Sequence, residues 1–141
     1  MRSGAIAVAL LLALPVAAKE TPAEAYQRVC GICHLDAGQG VPHAFPPLGA
    51  ELGGYATTPA GRDYLVGVLA NGLFGPIEVD GISYAGAMPP MRGQLDETAM
   101  AQLLNFVLTE FAGSEAGAFD ATEVAERLER IGTSPGASLR P

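Results

Sequence analysis

The strongest hydrophobic periodicity in the chain follows Asp96. Apolar residues recur there at intervals of three and four, in the order Met100, Leu103, Leu104, Val107, Leu108 and Phe111. This spacing places them on one face of an α-helix, and aspartate is a favourable N-cap residue. The pattern predicts a helix from Asp96 to about Phe111 whose apolar face packs against the rest of the protein.

Start signals predict two more helices upstream. The segment TPAE at positions 21–24 has an N-cap threonine, a proline at the first helical position and a glutamate three residues after the cap. A helix should therefore run from Pro22 to about Cys33. The pair TP at 58–59 opens a second helix, which should extend to Asn71 and end at Gly72. Glycine and proline dominate residues 35–54, which predicts an irregular loop there.

The remaining segments carry shorter patterns. GPIEVDGISY at 75–84 alternates apolar and polar residues about a central Asp-Gly pair, which predicts a small β-hairpin. A fourth, shorter helix is predicted from Glu123 to Ile131, and residues 132–141 are predicted to form a frayed tail. We interpret the charged residues of that helix as its solvated face: Glu123, Glu126, Arg127, Glu129 and Arg130. The fold class is all-α, with three core helices, one hairpin and a short extra C-terminal helix.

The first 18 residues differ in character from the rest. Arg2 precedes an unbroken apolar run at 5–14 and a small-residue ending at 16–18, as in a secretory signal peptide. The run is shorter than the roughly 20 residues that a membrane-spanning helix needs, and no later segment is long and apolar enough to span. We therefore predict a signal peptide at 1–18, a periplasmic protein, a main domain at 19–113 and an extension at 114–141. An uncleaved anchor is the alternative.

Charge narrows the range of partners. The chain carries a net charge of −7, and removal of Arg2 with the signal segment leaves 7 basic against 15 acidic residues, a net charge of −8. Such a chain is repelled by phosphate backbones and anionic lipid surfaces. We expect no nucleic acid and no membrane surface among its partners.

Both cysteines lie in one short motif, CGICH at positions 30–34. A disulfide between Cys30 and Cys33 would close a loop of a few residues and so stabilise weakly. Zinc would need a second pair of ligands, and the chain has only His34 and His43 besides the cysteines. A thioredoxin-like dithiol would need a βαβ context that the sequence lacks. The remaining interpretation is covalent attachment of haem, because both thiols can add to its vinyl groups while His34 reaches the iron.

Haem iron held by His34 needs a second axial ligand. Met88 and Met91 lie in YAGAMPPMRG at 84–93, a segment that prolines keep out of a helix. We favour Met88, because the proline after it forces an extended backbone that presents the side chain stiffly. Met91 and His43 remain alternatives. Phe45, Leu48 and Tyr84 are predicted to line the pocket.

Together these motifs resemble a class I c-type cytochrome. The resemblance rests on CGICH, on GQGVPHAFPPL at 38–48, on NGLFGPIEVDGISYAGAMPPM at 71–91 and on LDETAMAQLLNFVLTEF at 95–111. It is strongest to modules that accept electrons from periplasmic dehydrogenases. It implies a cytochrome c fold around one haem, with Cys30 and Cys33 as the attachment sites and His34 and Met88 as the iron ligands.

The resemblance also implies supporting roles. Pro46 or Pro47 would offer a backbone carbonyl to the His34 ring, and Tyr26, Leu103 and Phe106 would lie where the first and last core helices cross. Arg62 and Arg92 are candidates to pair with the haem propionates. The extension after residue 113 departs from the family pattern. Its apolar residues Val124, Leu128 and Ile131 could pack against another subunit.

The implied function is one-electron transfer rather than catalysis, because an iron with two protein ligands has no vacancy for a substrate. The protein would act as a periplasmic carrier or as the cytochrome subunit of an oxidoreductase. Its partners would be a dehydrogenase and a downstream oxidase or cytochrome. A haem-based sensor with a labile Met88 ligand and a dithiol oxidoreductase are the alternatives.

Overall fold

The computed structural model describes residues 19–141, and the predicted signal peptide lies outside them. The described chain forms six α-helices, four short strands and one 3₁₀ helix, listed here in chain order. They are α1 (Pro22–Val29), α2 (Gly31–His34), α3 (Ala50–Ala56), α4 (Pro59–Asn71), β1 (Leu73–Phe74), β2 (Ile77–Val79), β3 (Ile82–Tyr84), β4 (Ala87–Met88), α5 (Glu97–Glu110), α6 (Ala121–Ile131) and the 3₁₀ helix Gly136–Leu139.

The predicted start signals form the predicted caps. Thr21 accepts from the amide of Glu24, whose side chain bonds back to the Thr21 amide, so a complete capping box opens α1. Thr58 caps α4 and Asp96 caps α5, each by accepting from a backbone amide with its side chain. The first predicted helix is divided at Cys30, and α2 continues it for one turn to His34.

The helices enclose one hydrophobic core. Helix α1 packs on α5, and α4 packs on α3, α5 and α6. Tyr26 and Leu103 are almost fully buried, and the Tyr26 ring lies 5.6 Å from the Phe106 ring and 4.8 Å from the Phe111 ring. The predicted contact between Tyr26 and Phe106 is therefore confirmed, and it fixes the segment that carries the cysteines against the last core helix.

The hairpin at 77–84 is also confirmed, and a second strand pair accompanies it. Strands β2 and β3 pair antiparallel around Asp80 and Gly81, which both have positive φ as a tight hairpin turn requires. Strands β1 and β4 pair with Leu73 opposite Met88. The sequence did not predict this second pair, because two-residue strands leave no alternation to detect.

The prediction of a wholly irregular loop at 35–54 is wrong at its end, where α3 begins. The AELGGYA sequence of α3 contains two glycines, which disfavour a helix. Tertiary packing stabilises this helix despite its low intrinsic helix propensity. Helix α3 lies on α4, and the Tyr55 ring meets the Tyr64 ring edge-on with 4.8 Å between the ring centroids.

The C-terminal extension differs from the prediction in two respects. Its last residues are not frayed: Gly136 is buried, and the 3₁₀ helix packs on α4. Val124, Leu128 and Ile131 are buried within this chain's own core, so they do not form an interface with another subunit.

The charged face of α6 is also not uniformly solvated. The Arg127 side chain is buried, with Nη1 donating to Asp63 and Nε to Glu123, while Glu126, Glu129 and Arg130 lie nearer the solvent. The sequence could not show this, because Asp63 lies on another helix.

Candidate functional site

A deep crevice with two lobes lies between the helices and the loops. The larger lobe encloses about 1010 Å³ and the smaller about 730 Å³, each counted with its open mouth. The residues shared by both lobes are Cys30, His34, Pro46, Leu73, Ile77 and Met88. These shared walls make the two lobes parts of one site, and they include both predicted iron ligands and one of the predicted attachment cysteines.

The His34 ring is fixed by a backbone carbonyl. It is 8% exposed, and its Nδ1 lies 2.8 Å from the Pro46 oxygen. Burial lowers the pKa of His34 and outweighs the opposing effect of this hydrogen bond, so the neutral ring is favoured. With the Nδ1 proton donated to Pro46, Nε2 keeps its lone pair for a metal.

A tight loop brings Pro46 to His34. The Gly40 amide donates to the His34 oxygen over 2.9 Å, and Val41 pairs with Phe45 across the loop. Gly40 has a φ of 63°, and a Cβ built on it would lie 2.7 Å from the Pro46 carbonyl carbon. Glycine is required here, because any side chain would push Pro46 away from the histidine.

The two cysteines face the smaller lobe. Cys30 is buried, and Cys33 is partly exposed. Burial raises the pKa of Cys30 to about 11, with a smaller contribution from Cys33. A dithiol oxidoreductase needs a thiol whose pKa is lowered, so this environment does not support that alternative.

The two candidate methionines occupy different positions. Met88 lies in β4, paired with Leu73, and faces both lobes together with His34. Gly72, with a φ of 81°, allows this strand to come close, since a Cβ there would lie 2.6 Å from the Met88 oxygen. Met91 is buried and faces the smaller lobe, and its sulfur lies 3.9 Å from the Gln94 amide nitrogen.

The other predicted pocket residues divide between the lobes. Pro47 and Leu48 line the larger lobe, and Phe45 and Tyr84 line the smaller. Phe45 is 38% exposed, so it stands at the rim. His43 lines neither lobe.

The sequence suggested Arg62 and Arg92 as partners of the haem propionates, but the arginine that lines the crevice is Arg140. Arg62 bonds to Glu123 and to backbone oxygens of the extension, and Arg92 bonds to Asn71 and the Gly132 oxygen. Neither lines the crevice, because each is engaged in holding the extension.

Sequence reasoning missed five polar residues of the larger lobe: Glu51, Tyr55, Tyr64, Asp80 and Arg140. In the sequence, Tyr64 is visible only as part of an apolar helix side. Arg140 stands in a segment without any pattern, so no sequence signal links it to the site.

The chain matches the family described as "Cytochrome C oxidase, cbb3-type, subunit III" over residues 17–107. It belongs to the c-type cytochromes. The chain is 40% identical over 86 residues to cytochrome c-552 of Thermus thermophilus, covering 61% of this chain and 65% of that protein. A cytochrome c-552 from a particular strain of the same species (ATCC 27634 / DSM 579) is also 40% identical, over 57% of its length.

A second kind of relative is larger. The cytochrome c subunit of the quinone alcohol dehydrogenase of Gluconobacter oxydans (strain 621H) is 30% identical over 110 residues, which are 78% of this chain and 22% of that subunit. The chain thus spans less than two thirds of the length of each of these relatives.

The crevice fits the haem that membership of this cytochrome family implies. Its walls are mainly apolar, as a site for a flat organic cofactor requires, and they bring Cys30, Cys33, His34 and Met88 together around one space. Among residues 19–141, no three His, Cys, Asp or Glu side chains cluster to bind a metal ion directly. No helix in this part of the chain is long and apolar enough to cross a membrane.

Proposed function

We propose that this cytochrome carries one haem, bound covalently through Cys30 and Cys33, with His34 and Met88 as axial ligands of the iron. The observation that carries the proposal is the His34 ring, which is buried in the crevice with Nδ1 on the Pro46 oxygen. The bond leaves Nε2 unprotonated, as a metal ligand must be. When bound, the haem supplies a one-electron Fe(III)/Fe(II) couple.

The chain's own residues would tune this couple. The Pro46 carbonyl fixes the tautomer of His34 and makes the ring a better donor to a metal. The backbone pairing of Met88 with Leu73 fixes the strand that carries the thioether. A thioether ligand raises the reduction potential relative to a second imidazole. The mainly apolar walls disfavour the more highly charged oxidised state.

The proposed role is electron transfer between proteins in the periplasm. The relationship to a dehydrogenase cytochrome subunit supports a dehydrogenase as donor, with an oxidase or another cytochrome as acceptor. The signal-like N-terminus predicts export of the chain, and export would place the protein in an oxidising compartment. The salt dependence of the rate of its reduction tests whether the protein acts as a free carrier or as a subunit.

Covalent attachment is tested first. We expect the intact protein mass to include one haem, with colour that survives acid–acetone extraction and denaturing electrophoresis. The double variant Cys30→Ala/Cys33→Ala should lose that colour, while Met100→Leu, a core change at a residue that lines neither lobe, should keep it. Wild-type protein with two free thiols or one disulfide and no added mass would refute the proposal.

The axial ligand is tested by two matched variants. Met88→Ala should abolish the weak near-infrared band that arises from sulfur-to-iron charge transfer and should lower the midpoint potential. Met91→Ala should leave the band in place. Loss of the band in Met91→Ala alone would transfer the ligand role to Met91.

The partner is tested by stopped-flow reduction with a co-purifying dehydrogenase across a salt series. Because the chain is strongly acidic, a diffusing carrier should be steered to a basic patch, and its bimolecular rate should fall as salt rises. A rate that does not change with salt, together with a complex that survives gel filtration, would identify a fixed subunit instead.

A further inference from the structure

A polar cluster lies in the otherwise apolar larger lobe. The Arg140 guanidinium donates from Nε to the Tyr55 hydroxyl over 3.3 Å, and from Nη2 to Glu51 over 3.2 Å and to the Glu78 oxygen over 3.3 Å. Its Nη1 makes no hydrogen bond to any residue in 19–141. Two donor hydrogens of this arginine are therefore available to a ligand.

Tyr64 adds a second available donor. The residue is 5% exposed and lines the larger lobe, yet its hydroxyl has no hydrogen-bond partner within the described chain. Its ring lies edge-on to that of Tyr55, whose hydroxyl donates to Glu51 over 2.9 Å. No side-chain polar atom of the described chain is both fully buried and unpaired, so the Tyr64 hydroxyl is open to the lobe and can donate to a ligand there.

Contacts of residues 132–139 with the rest of the fold position Arg140 at the larger lobe. The Gly136 amide donates to the Gly72 oxygen over 3.0 Å, at an approach too close for a Cβ. Leu139 fills the notch left by Gly67, so that a Cβ at Gly67 would overlap it. The Asn71 amide donates to two carbonyls of residues 132–134.

We propose that Arg140 and Tyr64 bind the carboxylates of the cofactor, so that the C-terminal tail completes the haem site. This inference rests on the proposed function. Arg140 is the sole Lys or Arg that lines either lobe in the described chain. Haem carries two propionates into a protein of net charge −7, and a planar guanidinium with free donors is suited to carboxylates.

The other charged and titratable groups of this lobe make the arginine more important. Glu51 on α3 and Asp80 on the hairpin line it, and the Glu78 backbone oxygen contacts Arg140. Two further carboxylates would be repelled by these acids. Arg140 therefore supplies the compensating charge, with the Tyr64 hydroxyl as a neutral donor.

The test compares Arg140→Gln with Arg130→Gln in the haem-loaded protein. Both variants remove one positive charge and one ion pair of the extension, but Arg130 is exposed and pairs with Asp63 away from the crevice. Loss of a cation beside the haem favours the oxidised state. We expect Arg140→Gln to shift the ratio of oxidised to reduced protein at fixed potential at least threefold more than Arg130→Gln does, and Arg140→Lys to recover part of the shift.

Tyr64→Phe provides an independent readout. It removes a hydroxyl that bonds to nothing in the described chain, so the fold should be retained. The propionate bending bands of the resonance Raman spectrum, which report hydrogen bonds to the carboxylates, should shift in Tyr64→Phe and Arg140→Gln and stay unchanged in Arg130→Gln.

Equal potentials and unchanged propionate bands in all variants would overturn the inference. That outcome would leave covalent haem and the near-infrared band of the wild type intact. Failure of the proposed function would instead show as absence of bound haem in the wild-type protein, before any variant is made.

Discussion

The attachment segment, residues 28–48, and the C-terminal extension, residues 114–141, both reach the same crevice, but by contacts of different range. In the attachment segment, Tyr26 from the preceding helix bonds to the Leu35 oxygen 9 residues away, and His34 bonds to Pro46 12 residues away. In the extension, Arg62 bonds to Gly117 across 55 residues and Arg140 to Glu51 across 89. The attachment segment is organised by its neighbours in sequence, whereas the extension is organised by contacts with distant parts of the fold.

The extension is held by charge as well as by apolar packing. The Arg62 guanidinium lies 3.7 Å from the Phe119 ring centroid and bonds to Glu123 and to the Gly117 oxygen. Arg127 bonds to Asp63 and to the Pro59 oxygen of α4. These groups are partly or largely buried, so removing one partner would leave an uncompensated charge and would cost more than breaking a surface ion pair. The extension therefore behaves as part of the core.

The largest expected effect comes from breaking the apolar contact of the extension. Val124 is fully buried, so Val124→Asp should lower the free energy of unfolding by about 4 kcal/mol. Ile32, in the attachment segment, is 78% exposed, and Ile32→Asp should change it by less than about 0.5 kcal/mol. Chemical denaturation of the haem protein measures both. Equal effects would show that α6 is not part of the core.

The next effect tests the attachment segment. Gly40→Ala should cost about 3 kcal/mol, because it combines a left-handed backbone with an overlap at Pro46. The midpoint potential should rise, because a weaker bond to His34 makes the ring a poorer donor to oxidised iron. Gly113→Ala is the matched control: its φ of 57° is similar, but nothing lies within 4 Å of the added carbon. An unchanged potential in Gly40→Ala would mean that Pro46 does not tune the iron ligand.

A third effect depends on pH. The hydrogen bond from Arg62 holds the pKa of Glu123 below its ordinary value, against a smaller effect of burial. A lowered folded-state pKa contributes stability above the unfolded value, about 4.3, and this contribution is lost as the pH falls below it.

The variants Glu123→Gln and Glu126→Gln isolate that effect. Glu123→Gln should cost about 2 kcal/mol at pH 7 and flatten the loss of stability between about pH 5 and 3. Glu126 lies on the same helix and makes no ion pair within the described chain. Glu126→Gln should therefore follow the wild-type dependence of stability on pH. Denaturation series at several pH values decide this, and parallel curves for all three proteins would contradict it.

The smallest expected effect comes from the helix N-caps, one in each part of the chain. Asp120 caps α6 and Thr21 caps α1, each by accepting an amide hydrogen bond three residues on. Asp120→Ala and Thr21→Ala should each cost about 1 kcal/mol, with Asp120→Asn nearly neutral. Thermal unfolding checks both. A much larger loss for Asp120→Ala would show that its carboxylate acts beyond the cap.

Several local features of this cytochrome can be predicted from its sequence alone: the CGICH motif, the caps of α1, α4 and α5, and the hairpin at Asp80. Each depends on residues a few positions apart, so their spacing is visible in the chain. The resemblance to c-type cytochromes implied that either Pro46 or Pro47 would meet His34, and the tertiary structure brings Pro46 to the ring.

Three features depend on long-range contacts in the folded chain: the helix at Ala50–Ala56, the burial of Arg127 and the position of Arg140. Two glycines hid the helix, a partner on another element hid the ion pairs, and the last ten residues carry no periodicity at all. The physical reason is the same in each case. These residues are ordered by contacts with parts of the chain far away in sequence, and such contacts exist only after the core has formed.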